Sequence, residues 1–173
     1  AIAPLPKRAG RSNGRPEPLE NGDHLTASEF LRRYEAMPHI KKAELIEGVV
    51  YIGSPVRVGA HGEPDSSMQM WLTTYAAHTP GTAAAANCTV QFDIDNVPQP
   101  DGLLRLLSEY GGQSHVDEHD YLTGPPELIV EVTASTASID LHDKLRAYRR
   151  NGVKEYLVWR TTEREFDWFV LSE

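Results

Sequence analysis

Apolar and polar residues recur along the chain with two different periods. Apolar residues at helical spacing follow a capping box formed by Thr26 and Glu29, and a second helical stripe follows Pro64. A third stripe ends at Gly152, the residue type that most often terminates a helix. Helices are therefore predicted from Thr26 to near Pro38, from Pro64 to Pro80, and over residues 139–151, with Met68, Trp71, Leu72 and Tyr75 on the buried face of the second.

Other segments have the alternation or the short apolar run that is typical of β-strands. Residues 89–95 alternate strictly, which places Val90, Phe92 and Ile94 on an inward face. Glu47-Gly48 separates two short apolar runs and predicts a hairpin turn. Strands are predicted as a pair within residues 43–52, and over residues 89–95, 127–133, 155–159 and 166–171, while residues 103–107 fit either a strand or a short helix.

The order of these elements indicates the fold class. Helix and strands alternate three times along the chain, so we expect an α/β (α+β) fold with a mixed β-sheet flanked by helices. A chain of 173 residues is long enough for one domain with its own core. Residues 1–24 are rich in Pro, Gly and Arg and are predicted to be a flexible basic tail, which leaves residues 25–173 as a single domain.

Charge and composition narrow the possible functions. The formal net charge of -8 argues against binding nucleic acid by bulk electrostatics, although a local basic face remains possible. No apolar run is long enough to span a bilayer, so no membrane association is expected and the cytoplasm is the predicted location. The single cysteine, Cys88, permits no internal disulfide and is interpreted as a small buried hydrophobe.

A polar loop over residues 108–126 contains five side chains that resemble metal ligands. The loop is long enough to be a flap or a disordered excursion. Because its acids and histidines follow no regular ligand spacing, a solvated loop is the preferred interpretation. The residues concerned are His115, Asp117, Glu118, His119 and Asp120.

A carboxylate, Glu131, interrupts the apolar strand predicted over residues 127–133. An ionised carboxylate in a core strand is costly unless it is paired, protonated or bound to a metal. Alternation places Glu131 and Thr133 on one face, opposite Val130 and Val132. A carboxylate at a sheet edge that reaches solvent or an arginine is the alternative interpretation.

Lys144 lies on the helix that follows this strand. On a wheel of about 100° per residue it falls next to Tyr148, at the edge of the buried stripe, and therefore leans toward the sheet. A simple i,i+4 pair with Asp140 is the alternative. With Pro100-Asp101 opening a neighbouring segment, Asp101 and Glu131 form a pair of carboxylates that suits Mg²⁺, and Lys144 is placed to act on a water or a phosphate.

Together these motifs resemble the PD-(D/E)XK nuclease superfamily, and in particular its Uma-two branch of restriction-endonuclease-like proteins. The resemblance covers nearly all of residues 25–160 and rests on the order and spacing of its parts. They are the helix over residues 26–34, ELIEG at residues 44–48, Ser54-Pro55, His61, Pro100-Asp101, GPPELIVEV at residues 124–132, Asp140-x-x-x-Lys144-x-x-x-Tyr148, and Gly152-Val153-x-Glu155-Tyr156.

The resemblance implies a Mg²⁺-dependent endonuclease that acts on DNA, with Mn²⁺ able to replace Mg²⁺ and no organic cofactor. Glu44, Asp101 and Glu131 would be the acidic residues and metal ligands. The usual lysine two residues after the second acid is replaced by Thr133, and Lys144 would supply its charge. His61 is an auxiliary candidate, as is Thr133. Cleavage of both strands would imply a homodimer, and a catalytically inactive module for DNA binding or protein interaction is the alternative.

Overall fold

The computed structural model describes residues 16–134 and 137–171. Within these residues the chain forms three α-helices and ten strands, and two π-helical segments, Val58–Gly62 and Ile139–Lys144, lead directly into the second and third helices. The helices are α1 (Ala27–Glu35), α2 (Glu63–His78) and α3 (Leu145–Arg150); the strands are β1 (Ala43–Ile46), β2 (Val49–Ile52), β3 (Thr82–Ala86), β4 (Val90–Gln91), β5 (Gly102–Leu106), β6 (His115–Val116), β7 (Leu122–Thr123), β8 (Leu128–Thr133), β9 (Glu155–Arg160) and β10 (Glu165–Val170).

The central sheet has the strand order β10-β9-β8-β5-β3. β8 and β9 are parallel and the other neighbours are antiparallel. The connection from β8 to β9 passes through α3, since parallel strands need a long crossover. The hairpin of β1 and β2 and the small sheet β4-β7-β6 lie outside the central sheet. The expectation of a mixed sheet with helices is confirmed.

β8 is buried along its whole length, and its two faces contact different parts of the core. Ile129 packs in one cluster with Tyr148 and Tyr156. Val130 faces a second cluster that contains Leu72 of α2. This alternation is the one that the sequence predicts, and it leaves Glu131 on the side of the sheet that α3 covers. A third cluster joins α1 to the hairpin of β1 and β2.

Residues 16–24, expected to belong to a flexible tail, instead pack against the hairpin. Leu19 is buried, the backbone N–H of Gly22 donates to Val50 O at 2.8 Å, and His24 forms a β-bridge with Val49. Composition alone did not predict this, because the segment is held mainly by backbone hydrogen bonds, which do not depend on apolar side chains. The rest of the expected tail, residues 1–15, lies outside the described residues.

Two of the predicted strands are corrected. The strand expected over residues 89–95 is reduced to β4, because the backbone turns at Asp93 and leaves Ile94 67% exposed. Residues 103–107, which fitted a strand or a helix, form β5. β3 consists of Thr82 and four alanines and was not predicted, since alanine does not favour strands.

The loop expected over residues 108–126 is shorter and more ordered than predicted. It contains a 3₁₀ turn at Ser108–Tyr110 and the strands β6 and β7. The carboxylate of Asp117 accepts hydrogen bonds from the backbone N–H groups of His119 and Tyr121, both at 2.9 Å. Asp117 therefore closes its own turn.

The buried face of α2 is narrower than predicted. Met68 and Leu72 are buried, as expected, but Trp71 is 39% and Tyr75 is 49% exposed. Trp71 meets Trp168 of β10 edge to face, with ring centroids 6.0 Å apart. Within the described part of the chain, no helix combines the length and the apolar character needed to cross a bilayer.

Gly102 allows α2 to approach β5 closely. A Cβ at this position would lie 2.7 Å from Cδ1 of Leu72 and 3.1 Å from Nε2 of Gln69. We expect Gly102→Ala to lower the free energy of unfolding by about 1–3 kcal/mol through overpacking, as measured by urea denaturation.

The matched control for this substitution is Gly59→Ala, because a Cβ at Gly59 meets nothing within 4 Å. In a Leu72→Ala background the cost of Gly102→Ala should shrink, since the atom in contact is gone. An unchanged cost in that background would show that the contact with Leu72 is not its origin.

Candidate active site

The four residues expected to form the site come together at one point, although each lies on a different element. Nζ of Lys144 is 2.9 Å from Oε1 of Glu131 on β8 and 3.0 Å from Oε2 of Glu44 on β1. Asp101, directly before β5, accepts a hydrogen bond at its Oδ2 from the backbone N–H of Val132 at 2.8 Å. All four side chains are buried.

The strand register explains the position of Asp101. β5 pairs with β8 only from Gly102 opposite Val130 to Leu104 opposite Leu128. Beyond this ladder the N–H of Val132 has no strand partner on that side, and the carboxylate of Asp101 takes the place of a backbone carbonyl. Asp101 is thus fixed beside Glu131, the residue that precedes Val132.

Lys144 is the centre of the buried charge. Its third partner is Asp140, one turn earlier in the π-helical segment, with Nζ 3.3 Å from Oδ1. Burial alone would lower the pKa of the Lys144 ammonium, but Glu131, Glu44 and Asp140 together raise that pKa well above its usual value. The predicted orientation of Lys144 toward the sheet is confirmed, and the alternative pair with Asp140 is present as well.

Glu131 is held by two donors at the same oxygen. Besides Lys144, the hydroxyl of Tyr148 donates to Oε1 at 3.0 Å. Burial, opposed by Lys144 and reinforced by the nearby carboxylates of Asp101 and Glu44, raises the pKa of Glu131 to about 8. The alternative of a solvent-exposed carboxylate at a sheet edge is wrong, because Glu131 is 3% exposed.

A second lysine, Lys42, occupies the other side of the site. Its Nζ lies 2.7 Å from Oδ1 of Asp101, and Nε2 of His61 lies 3.7 Å from the same oxygen. Burial would raise the pKa of Asp101, but Lys42, together with the N–H of Val132, lowers it. His61, an auxiliary candidate from the sequence, is therefore at the site and next to Asp101.

Two glutamines form hydrogen bonds that position Asp101 and Glu44. Nε2 of Gln69 on α2 donates to the carbonyl of Asp101 at 2.8 Å, and the backbone N–H of Gln99 donates to Oε1 of Glu44 at 2.8 Å. These contacts tie the acids to α2 and to the segment before β5. The backbone of Asp101 and the carboxylate of Glu44 are therefore held in place, which limits how far these two acids can reorient.

Thr133, which stands where the superfamily has its lysine, is buried at the end of β8. Its carbonyl accepts from the backbone N–H of Thr161 at 3.0 Å. Strand alternation places its side chain on the same face as Glu131. The ammonium of Lys144 reaches Glu131 from the helical segment that follows this strand.

The donor set fits a hard divalent cation in its chemistry. Glu44, Asp101 and Glu131 offer carboxylate oxygens, which Mg²⁺ prefers. Four carboxylates, with Asp140 included, face two ammonium groups, so the ionised cluster has an excess of two negative charges. In residues 16–134 and 137–171 no three His, Cys, Asp or Glu side chains are already arranged to hold a metal. The ammonium groups of Lys42 and Lys144 lie among the oxygens instead.

Sequence reasoning missed Lys42 and the role of Tyr148. Lys42 is two residues before Glu44, and the N–H of Gly53 donates to the Lys42 carbonyl at 2.9 Å, which continues the hairpin. Because residues i and i+2 of a strand share a face, the sequence contained a signal that Lys42 accompanies Glu44. Tyr148 was predicted to be buried, but its hydrogen bond to Glu131 was not foreseen.

Comparison with known proteins agrees with this architecture. The family model Uma2, described as "Putative restriction endonuclease", matches residues 27–173. A crystal structure from Anabaena variabilis, described as "a putative nuclease belonging to DUF820", superposes with a TM-score of 0.65 at 16% sequence identity, over 86% of this chain and 81% of that chain. No curated protein matches the chain.

The mixed sheet with acids gathered at the ends of β1, β5 and β8 defines a protein of the restriction-endonuclease-like fold class, as the sequence resemblance implied. Because the family model covers most of the chain, the protein belongs to the Uma2 family of restriction-endonuclease-like proteins.

The raised pKa of Glu131 makes the stability of the protein depend on pH. A carboxyl whose pKa is higher in the folded state stabilises the fold at low pH and loses that contribution as the pH rises through the folded value. From about pH 5 to about pH 8 the free energy of unfolding should therefore fall, by on the order of a few kcal/mol, since one pKa unit corresponds to about 1.4 kcal/mol. Glu131→Gln should remove this dependence.

The measurement is urea denaturation across this pH range, with Glu109→Gln, a substitution of an exposed acid, as the control. The lowered pKa of Asp101 and the raised pKa of Lys144 change stability only below and above the range, respectively. A pH profile that is the same for wild type and Glu131→Gln would contradict the prediction.

Proposed function

We propose that the protein is a metal-dependent endonuclease that hydrolyses phosphodiester bonds in DNA with Mg²⁺, or with Mn²⁺ in its place. The observation that supports this most directly is the convergence of Glu44, Asp101, Glu131 and Lys144 from four separate elements. A buried cluster of this kind is costly for the fold. Stability alone gives no reason to gather these groups, whereas phosphodiester hydrolysis needs all of them.

Asp101 and Glu131 are the proposed principal metal ligands, with Glu44 as a third and the backbone carbonyl next to Val132 as a further oxygen. A divalent cation bound there would supply Lewis-acid stabilisation of a phosphate and a more acidic water. The chain itself contributes the fixed positions of the acids. Gln69 and Gln99 hold Asp101 and Glu44, respectively, through the hydrogen bonds described above.

Lys144 is proposed to take the role of the superfamily's motif lysine by orienting the attacking water and balancing negative charge, since its raised pKa keeps it an ammonium. Its ammonium lies next to Glu131, on the face where Thr133 replaces the usual lysine. Lys144 therefore brings the same charge to the same face from a helix. Tyr148 keeps Glu131 oriented by donating to Oε1.

DNA is the proposed substrate because the family and the similar solved structure are both described as nucleases. A homodimer is proposed for cleavage of both strands. The surface that supports it is the edge strand β10, where Phe166 and Trp168 are 55% and 53% exposed. Trp159 stacks on Phe166 with ring centroids 4.8 Å apart, which extends this aromatic surface across two strands.

A catalytically inactive module for DNA binding or protein interaction is the second candidate. The replacement of the motif lysine by Thr133 favours it, and so do the contacts of Lys42 with Asp101 and of Lys144 with Glu131. The two candidates differ in whether the acids bind a divalent cation.

The first experiment is cleavage of supercoiled plasmid with Mg²⁺ or Mn²⁺. We expect wild type to nick the plasmid, and we expect both Glu131→Gln and Lys144→Ala to reduce nicking by roughly hundredfold or more, because each removes a charge that acts on the reacting phosphate or water. Glu109→Gln should cleave like wild type. Circular dichroism and thermal unfolding show that the variants are folded.

Metal binding separates the two candidate functions without relying on activity. Mg²⁺ or Mn²⁺ should raise the melting temperature of wild type, because a ligand that binds only the folded state stabilises it. Asp101→Asn and Glu131→Gln should lose the shift, each measured with and without metal. Absence of both binding and cleavage in wild type would favour the inactive module.

A further inference from the structure

Lys42 differs from Lys144 in its access to solvent. The Lys144 side chain is 5% exposed and lies among three carboxylates, whereas the Lys42 side chain is 31% exposed and pairs with Asp101. A DNA phosphate arrives from solvent. Of these two ammonium groups, only that of Lys42 can contact the phosphate without a rearrangement of buried side chains. The proposed endonuclease function assigns no role to Lys42.

Lys42 and a cation would compete for the same atom. Oδ2 of Asp101 is engaged by the N–H of Val132, and Oδ1 is the oxygen that Lys42 contacts at 2.7 Å. Two positive groups within a few ångströms repel strongly in a partly buried site. Binding of a divalent cation at Asp101 therefore requires the Lys42 ammonium to leave that oxygen.

The movement needed is small. The backbone of Lys42 is held by the hydrogen bond from Gly53, but its four-carbon stem has several rotatable bonds and its side chain is 31% exposed. An ammonium that leaves Oδ1 can therefore turn toward solvent, the side from which a phosphate arrives. His61, 3.7 Å from the same oxygen, lies on this side too.

Resting on the nuclease function proposed above, we propose that Lys42 is a second catalytic lysine. It holds Oδ1 of Asp101 in the cation-free protein, yields that oxygen to the divalent cation, and then places its ammonium on the phosphate being cleaved. Lys144 remains paired with Glu131 throughout. The two lysines thus have different roles. Lys144 balances the charge of the interior carboxylates, and Lys42 alternates between the Asp101 carboxylate and the substrate phosphate.

This role predicts opposite changes in metal affinity and in cleavage. Lys42→Met should bind Mg²⁺ at least roughly tenfold more tightly in isothermal titration calorimetry, because the competing charge is gone. At saturating Mg²⁺ its single-turnover nicking rate should fall by roughly hundredfold, because a charge on the phosphate is lost. Lys42→Arg, which keeps the charge, should recover part of the rate.

The matched control is Lys41→Met, which removes an equal charge from the adjacent exposed residue, whose ammonium donates to the carbonyl of Pro38 at 3.3 Å. It should change neither affinity nor rate. In an Asp101→Asn background Lys42→Met should no longer tighten Mg²⁺ binding, because the competition acts through Asp101. Lys42→Gln provides a second uncharged variant, so that a folding defect of one substitution does not decide the result.

The results separate this inference from the proposed function. If wild type binds Mg²⁺ and nicks plasmid, and Lys42→Met matches it in both or binds Mg²⁺ more weakly, Lys42 has no such role and the nuclease function stands. If wild type binds no Mg²⁺ but Lys42→Met does, the competition is supported. If neither protein binds Mg²⁺ or nicks plasmid, both proposals are overturned.

Discussion

The contact between Lys144 and Glu131, an ion pair wherever Glu131 is ionised, is the interaction on which the rest of the site depends. Both groups are buried, and removing charges from water costs several kcal/mol per ion unless hydrogen bonds and opposite charges compensate. The compensation comes from every neighbouring element: Glu44 from β1, Asp140 from the π-helical segment and Tyr148 from α3. Removing Lys144 would leave three buried carboxylates without the ammonium that they share. The hairpin, the central sheet and the crossover helix are therefore connected through this cluster as well as through apolar contacts.

The same cluster explains how the folded protein accommodates several acids in one buried site. Buried carboxylates repel one another, and here two lysines reduce that repulsion. Lys144 does so from the interior, where its side chain is 5% exposed. Lys42 pairs with Asp101, and its side chain is 31% exposed. To bind a cation, a site stabilised in this way would have to break some of its contacts between lysines and carboxylates. The same atoms would then contribute to both stability and function.

The sequence predicted those features that depend on local periodicity. Alternation along β8 placed Glu131 opposite Val130, and the helical wheel directed Lys144 toward the sheet; both follow from backbone geometry that neighbouring residues already determine. Features that depend on distant pairing were missed. β3 has no strand propensity and exists because its backbone pairs with β5. The spacing of Lys42 and Glu44 indicates that they share a face, but it does not reveal Asp101 as the partner of Lys42, because that contact depends on how the hairpin lies against the segment before β5.

The replacement of the motif lysine by Thr133 shows which property of the site the fold has to preserve. A lysine at position 133 would extend from β8 on the face that Glu131 shares. Lys144 reaches that face from the helical segment that follows β8, and its ammonium contacts Glu131. The proposed hydrolysis needs an ammonium beside Glu131, whichever backbone element carries it. However, the Lys144 ammonium already contacts three interior carboxylates, so it has little hydrogen-bonding capacity left for a substrate. A second lysine with one carboxylate partner and an exposed end resolves that conflict, and Lys42 has both properties.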